Sequence, residues 1–124
     1  MTMDNEQIPC INAAILIYFP KEMPVSNLKQ RLPDDTKFRV LQNEIEATIV
    51  EVQECYAWEV DFVLTRLFSL CDLDQLSQVA QEFRGQIHID LWYYSGETNP
   101  VIIFEGENMA IIHRLKANIS IDGY

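Results

Sequence analysis

Side chains able to bind or react recur at every second position between residues 88 and 94, where the sequence places His88, Asp90, Trp92 and Tyr94. Alternate residues of a strand point to the same side, so one face would carry a histidine, a carboxylate and aromatic rings. Aromatic anchors dominate protein interfaces, and this combination therefore predicts a docking face. The alternative is that both aromatics pack under a loop or a dimer partner, with His88 and Asp90 at the solvated rim.

His88 and Asp90 are also the candidates for general acid–base catalysis. Adjacent side chains on one face of a strand rarely close a tight hydrogen bond, and no serine or cysteine is positioned with this pair. The chain also lacks a Gly-rich phosphate loop, an HExxH motif and a GxSxG motif. We therefore predict no catalytic residue, no metal ligand and no cofactor, and a protein that is not an enzyme.

A stretch rich in carboxylates is the second feature, since no lysine or arginine occurs between Arg39 and Arg66. On a strand interpretation, Glu51, Glu59 and Asp61 have the parity opposite the apolar residues and form an exposed acidic strip. Such a strip could mimic phosphate spacing and block a basic cleft, because Arg and Lys anchors gain strongly from opposing carboxylates. An ordinary solvated face is the alternative. The candidate residues are Glu44, Glu46, Glu51, Glu54, Glu59 and Asp61.

The overall charge points to the same class of partner. The chain carries 19 acidic and 9 basic side chains, a net charge of −10. Such a chain repels phosphate backbones and anionic membrane surfaces, so we expect no binding to nucleic acid or membrane. A basic protein partner is favoured, although the acidity could simply aid solubility.

The cysteines and the hydropathy pattern bear on the compartment. Cys10, Cys55 and Cys71 have a spacing that supports neither a disulfide framework nor a zinc site, which predicts free thiols in a reducing compartment. Apolar runs fall far short of the roughly 20 residues of a membrane span. The first residues lack the basic and apolar regions of a secretory signal. These patterns predict a cytoplasmic protein.

Length and hydropathy predict one folded unit. The chain has 124 residues, of which 48% are hydrophobic. That size matches a single domain with one core. We therefore expect one α+β domain over residues 1–124, with residues 1–10 as a loose N-terminal segment.

Hydrophobic periodicity and the positions of proline and glycine then locate the elements that would position the candidate residues. Apolar and polar residues alternate over 86–94, which makes this segment the clearest predicted strand. The region around 44–60 fits the period of a helix or of a strand, and its β-branched and aromatic residues favour strands. The further expected strands are 11–19, 37–41, 47–53, 56–60, 101–104 and 118–122. The expected helices are 24–32, one capped by Asp61, one capped by Asp74 and stopped by Gly85, and 107–117, with a turn at 95–100. This order predicts a layered sheet with helices mainly on one face, in a ferredoxin-like or related plan.

Several of these segments together resemble an uncharacterised bacterial family, the domain of unknown function 4279 family. The resemblance is carried by the Trp58 strand, the two-part helix from Asp61 to Arg84, the strand Ile-His-Ile-Asp-Leu, the late helix and the end Ile121-Asp122-Gly123-Tyr124. A Lys-Gly-Asp-like turn of the family is replaced here by Glu44-Ile45-Glu46. The resemblance implies a compact α+β domain and supplies no catalytic residues.

Two functions fit these expectations. The first is an immunity or antitoxin-like inhibitor that neutralises a basic toxin domain, such as a nuclease, by covering its cleft. The second is a homo-oligomeric structural or regulatory domain, for instance a homodimer, in which the face of Trp92 and Tyr94 is buried by symmetry. A small enzyme or ligand-binding domain using His88 and Asp90 would need a concave pocket.

Overall fold

A computed structural model describes residues 10–56, 59–94 and 101–123. Its strands are β1 (Cys10–Pro20), β2 (Lys37–Val40), β3 (Glu44–Cys55), β4 (Gln86–Tyr94) and β5 (Asn118–Gly123). Its helices are α1 (Val25–Arg31), α2 (Val60–Phe68), α3 (Leu73–Glu82) and α4 (Gly106–Leu115). The predicted turn at 95–100, Trp58, Tyr124 and residues 1–9 of the predicted N-terminal segment lie outside the described residues.

The described strands form one mixed sheet in the order β2-β3-β1-β4-β5. β1 runs antiparallel to both β3 and β4, β2 runs antiparallel to β3, and β5 runs parallel to β4. From β1 to β4 the chain follows the β-α-β-β-α-β order of ferredoxin-like folds, with α2 and α3 sharing the second connection. The final α4 and β5 add a parallel strand at the β4 edge. The predicted layered α+β architecture is therefore confirmed.

All described helices cover one side of this sheet. Leu28 of α1, Leu64 of α2, Leu76 of α3 and Leu115 of α4 belong to a single hydrophobic core with Ile15 of the central strand. The apolar stripe of each helix must be buried against the sheet, which explains this arrangement. Among the described residues, no helix covers the opposite side of the sheet, which we call the open face.

Three predicted strands differ from the structure. β3 is continuous to Cys55, because it pairs along the whole of β1, and Tyr56 then leaves the extended conformation at φ 60°. Of the strand predicted over 56–60, residues 57 and 58 lie outside the described residues, and the prediction is wrong at its two ends, since Tyr56 is a turn residue and Val60 already begins α2. The strand predicted over 101–104 is also wrong, because this segment makes only an isolated bridge between Val101 and Glu59.

The predicted helix caps also need correction. Glu59, not Asp61, occupies the N-cap of α2, and Asp72 rather than Asp74 caps α3 by accepting a hydrogen bond from the Gln75 N–H at 3.1 Å. At the end of α3, the left-handed position falls on Arg84, with φ 58°. Gly85 follows it, and its N–H donates to the Ala80 carbonyl at 2.7 Å, as in a Schellman motif.

The predicted set of free thiols is wrong as well. Cys10 and Cys55 form a disulfide, with Cα atoms 4.1 Å apart, because the β1–β3 register places them directly opposite each other. Their separation of 45 positions hides this proximity in the sequence. Cys10 is thus the first residue of β1 and not part of a loose segment, while Cys71 is the remaining free thiol.

Within the described ranges, no helix is long and apolar enough to cross a membrane.

Candidate protein-binding face

The two features predicted separately from the sequence meet on the open face. Antiparallel partners project to the same side of a sheet, and Ala14 of β1 lies opposite both Glu51 of β3 and Asp90 of β4. Through the same register, the open face collects Glu44, Glu46, Glu51, His88, Asp90, Trp92 and Tyr94. One surface therefore combines half of the predicted acidic stretch with the whole predicted aromatic strand face.

A β-bulge explains how residues of opposite parity reach one face. The β1–β3 register shifts between Ile15, which pairs with Val50, and Leu16, which pairs with Thr48, so Ile49 is the extra residue. A bulge reverses the side to which the following residues point. Even-numbered Glu46 and odd-numbered Glu51 consequently share the open face, which a strict two-residue period excludes.

The other predicted acidic residues lie elsewhere. Glu54 is opposite Ile11, on the helix-covered side, and its carboxylate lies 3.4 Å from Arg66 of α2. Glu59 is an exposed residue at the start of α2. Asp61 is directed to α4, where its Oδ1 accepts hydrogen bonds from the Glu105 N–H and the Asn108 side chain, each at 2.8 Å. The predicted strip of Glu51, Glu59 and Asp61 is therefore wrong.

A compact hydrogen-bonded cluster occupies the β4–β5 side of the open face. The Ser120 hydroxyl donates to Asp90 Oδ1 at 2.7 Å, and His88 Nε2 lies 2.9 Å from that oxygen and 3.1 Å from Ser120 Oγ. Sequence reasoning missed Ser120, because its proximity depends on the pairing of β4 with β5.

The atoms of this cluster favour fixed positions over proton relay. A relay of the Ser-His-Asp type contacts the serine through one ring nitrogen and the carboxylate through the other. Here the same Nε2 of His88 approaches both groups, and the Ser120 proton is directed to Asp90. The arrangement therefore holds the Asp90 carboxylate in place and does not prepare Ser120 as a nucleophile.

A second cluster lies on the β2–β3 side. The Tyr18 hydroxyl donates to Glu46 Oε2 at 3.2 Å, and Arg39 Nη2 lies 3.2 Å from the same oxygen. Burial, followed by the negative charge of Glu46, raises the pKa of Tyr18 to about 12, so its hydroxyl remains a donor at neutral pH. The Tyr18 ring also meets His88 edge to face, with centroids 5.9 Å apart. This contact joins the two clusters across the centre of the sheet.

The charge of the open face is predominantly negative. Asp122 pairs with Trp92 and so adds a carboxylate at the β5 edge. Lys37 and Arg39 of β2 are the cations that the register of the described strands places on this side. Arg39 is already paired with Glu46, and Lys37 is only 4.0 Å from Glu51 in a mostly exposed contact that contributes little. The open face therefore suits a cationic ligand.

The Cys10–Cys55 disulfide lies at one end of the open face. Cys10 pairs with Tyr94 of β4 and with Cys55 of β3, so the disulfide lies directly beside Tyr94. Within the described parts of the chain, no group of three or more His, Cys, Asp or Glu side chains is arranged to hold a metal ion. The geometry therefore presents carboxylates, aromatic rings and a disulfide to whatever approaches this side.

Comparison of the chain with protein-family models, with curated proteins and with solved structures finds no match.

Proposed function

We propose that the protein is a small acidic binding protein that acts as an immunity or antitoxin-like inhibitor of a basic toxin domain. The observation that carries the proposal is the convergence of Glu46, Glu51 and Asp90 with Trp92 and Tyr94 on the open face. Carboxylates would meet the Lys and Arg side chains that a nuclease uses for phosphate, while the aromatic rings supply apolar anchors. Inhibition follows from occupation of the cleft and needs no catalysis.

The hydrogen bonds within the open face support this role. Tyr18 and Arg39 hold Glu46, while Ser120 and His88 hold Asp90. Carboxylates that are fixed before binding lose less side-chain freedom in the complex, which strengthens association. The net charge of −10 adds long-range attraction to a basic partner, so association should be fast at low salt and slower at high salt.

We also propose residence in the cytoplasm, where an inhibitor protects the cell that makes the toxin. The disulfide removes one argument for this location, because disulfides persist mainly in oxidising compartments. Cell fractionation combined with alkylation of free thiols tests the proposal. The proposal would be contradicted if the protein were recovered in a membrane-enclosed oxidising fraction with Cys10 and Cys55 protected from alkylation by their disulfide.

Membership of the domain of unknown function 4279 family is a further proposal. It is supported by the paired helices α2 and α3, by the Ile-His-Ile-Asp-Leu segment within β4 and by the Ile121-Asp122-Gly123 segment within β5.

The functional proposal predicts the effect of neutralising the open face. We expect the variant Glu46→Gln/Glu51→Gln/Asp90→Asn to weaken binding to a basic nuclease domain that the protein inhibits by at least about tenfold, since charged pairs at interfaces are worth about 1.5 kcal/mol or more. Isothermal titration calorimetry at low and high salt measures the effect. The amide substitutions preserve side-chain shape.

The matched control is Asp34→Asn/Asp74→Asn/Glu107→Gln, which removes the same charge from exposed positions outside the open face. Equal loss of affinity in both variants would show that only the net charge matters, and it would contradict binding through the open face. A second candidate function, a homodimer through Trp92 and Tyr94, is supported by their position on the open face. A stable dimer in sedimentation that dissociates on Trp92→Ala would replace the inhibitor proposal.

A further inference from the structure

A second surface lies on the helix-covered side of the sheet and is apolar. Five large hydrophobic side chains are each between 44% and 60% exposed there. We call this set the apolar patch, and its members are Phe62, Val101, Ile102, Ile103 and Met109. Single exposed hydrophobic residues are normal on protein surfaces, but a group of them marks an interaction site.

Hydrogen bonds bring the members of the patch into one region. The Val60 N–H donates to the Val101 carbonyl at 3.0 Å, and the Glu105 N–H donates to Asp61 at 2.8 Å, so residues 101–105 run beside the start of α2. The Asn108 side chain also donates to Asp61 and holds the start of α4 against α2. Every member of the patch lies within three positions of one of these bonds.

The rim of the apolar patch is acidic. Glu59, Glu105 and Glu107 are exposed at its border, and neither 59–62 nor 101–109 contains a lysine or an arginine. The Asp61 carboxylate is already engaged with α4. Large hydrophobic side chains beside exposed carboxylates complement a surface that is apolar and positively charged.

We propose that the apolar patch docks a protein segment in which large apolar side chains are flanked by lysine or arginine. The acidic rim argues against a second copy of this chain, because a two-fold interface presents the same surface from both copies, and neither 59–62 nor 101–109 contains a lysine or an arginine to meet the carboxylates of the other copy. The patch and the open face lie on opposite sides of the sheet, so the two surfaces can be occupied together. The proposal does not rest on the inhibitor function.

A fluorescently labelled amphipathic peptide of leucine and lysine is the probe, and its anisotropy is followed as the full chain is added. We expect Phe62→Ser/Ile103→Ser to weaken binding by about tenfold or more, since burial of a large apolar side chain is worth at least that factor. Val40→Ser is the matched control, because Val40 is 61% exposed on the β2 edge strand. Binding should also survive neutralisation of Glu46, Glu51 and Asp90.

Met109→Lys supplies an independent variant at an exposed position of α4, where lysine is well tolerated and would repel the cationic probe. Equal affinity of the probe for this variant, for Phe62→Ser/Ile103→Ser and for the unchanged chain would overturn the proposal. A dimer in sedimentation that dissociates in the patch variants would assign the patch to a second copy. Patch-dependent co-sedimentation with phosphatidylcholine vesicles would assign it to a lipid surface, and either result also overturns the proposal.

Discussion

Asn108 has an environment that is unusual for a polar side chain. It is only 4% exposed, and its amide nitrogen lies 2.8 Å from Asp61 Oδ1, 2.9 Å from Thr65 Oγ1 and 3.1 Å from the Asp61 carbonyl. Buried polar groups are tolerated only when they are hydrogen-bonded. One amide therefore joins α4 to α2, which are distant in sequence.

We expect Asn108→Ala to lower the free energy of unfolding by about 1–3 kcal/mol, because it removes three contacts and leaves Asp61 without a side-chain donor. Urea unfolding followed by circular dichroism measures the change. Met109→Ala is the control at the neighbouring exposed position and should change stability by less than about 0.5 kcal/mol. Equal losses in both variants would contradict the role of the amide.

The role of Asp61 could not be predicted from its local sequence. An aspartate just before an apolar helical period is typical of an N-cap, and the sequence predicts that role for α2. The carboxylate instead accepts the Glu105 N–H at the N-cap position of α4, 44 positions away. Ser120 is a similar case, since its contact with Asp90 spans 30 positions. Contacts of this range depend on tertiary packing and not on local pattern.

At the scale of elements, the junction between α3 and β4 is tightly packed. A Cβ atom on Gly85 would lie 2.6 Å from Ile17 Cγ2 and 2.7 Å from Phe19 Cε1, which are buried core side chains. Only glycine lets the chain turn into β4 this close to β1. The sequence pattern predicts that Gly85 ends the helix. In the structure a glycine is needed there because a Cβ atom would have no room.

We expect Gly85→Ala to destabilise the fold by about 1–3 kcal/mol through overpacking, seen as a lower midpoint of thermal unfolding. Gly106→Ala provides the matched control, since a Cβ atom there meets nothing within 4 Å. Alanine at that first helical position should leave the midpoint unchanged or raise it. An unchanged midpoint for Gly85→Ala would show that Ile17 and Phe19 move aside without cost.

Most elements follow from local pattern, and the exceptions have one physical cause. The alternation of residues 86–94 and the apolar run before Pro20 predict β4 and β1, because each strand imposes its period on its own residues. The predicted strand 47–53 is shorter than β3, which runs from Glu44 to Cys55 and contains an extra residue at Ile49. The length of β3 is set by its pairing with β1, and the strand propensity of its residues carries no information about that pairing.

At the scale of the whole molecule, the disulfide links the first described strand to the end of β3. Its two cysteines are 45 positions apart, so the bond closes a large loop in the unfolded chain. In the chain-entropy model a loop of this size contributes about 4 kcal/mol to stability. The bond also fixes one corner of the open face beside Tyr94.

We expect Cys10→Ser/Cys55→Ser to lower the free energy of unfolding by about 2–4 kcal/mol, measured by urea unfolding without reductant. Cys71→Ser is the control, because it replaces the free thiol and keeps the disulfide. Burial, and then the charge of Asp72, raise the pKa of the Cys71 thiol to about 11, so it is protonated and unreactive at neutral pH. Mass spectrometry after alkylation in denaturant should find one modified cysteine. Three modified cysteines would contradict the bond.

The overall plan and charge could be predicted from the sequence, but the composition of the open face could not. Strands interleaved with helices predict a layered sheet, and the ratio of acidic to basic residues predicts a cationic partner. The meeting of Glu51 and Asp90 depends on strand order, on the central place of β1 and on one bulge. None of these is a local property.

The central position of β1 has a consequence for biosynthesis. β1 precedes both of its partners in the chain, and the second partner, β4, begins only at Gln86. During translation its run of Ile15, Leu16 and Ile17 therefore leaves the ribosome well before the sheet can close around it. Pairings of such long sequence separation form slowly and expose apolar strands to aggregation. The nascent chain should consequently depend on chaperones until the β4 segment has emerged.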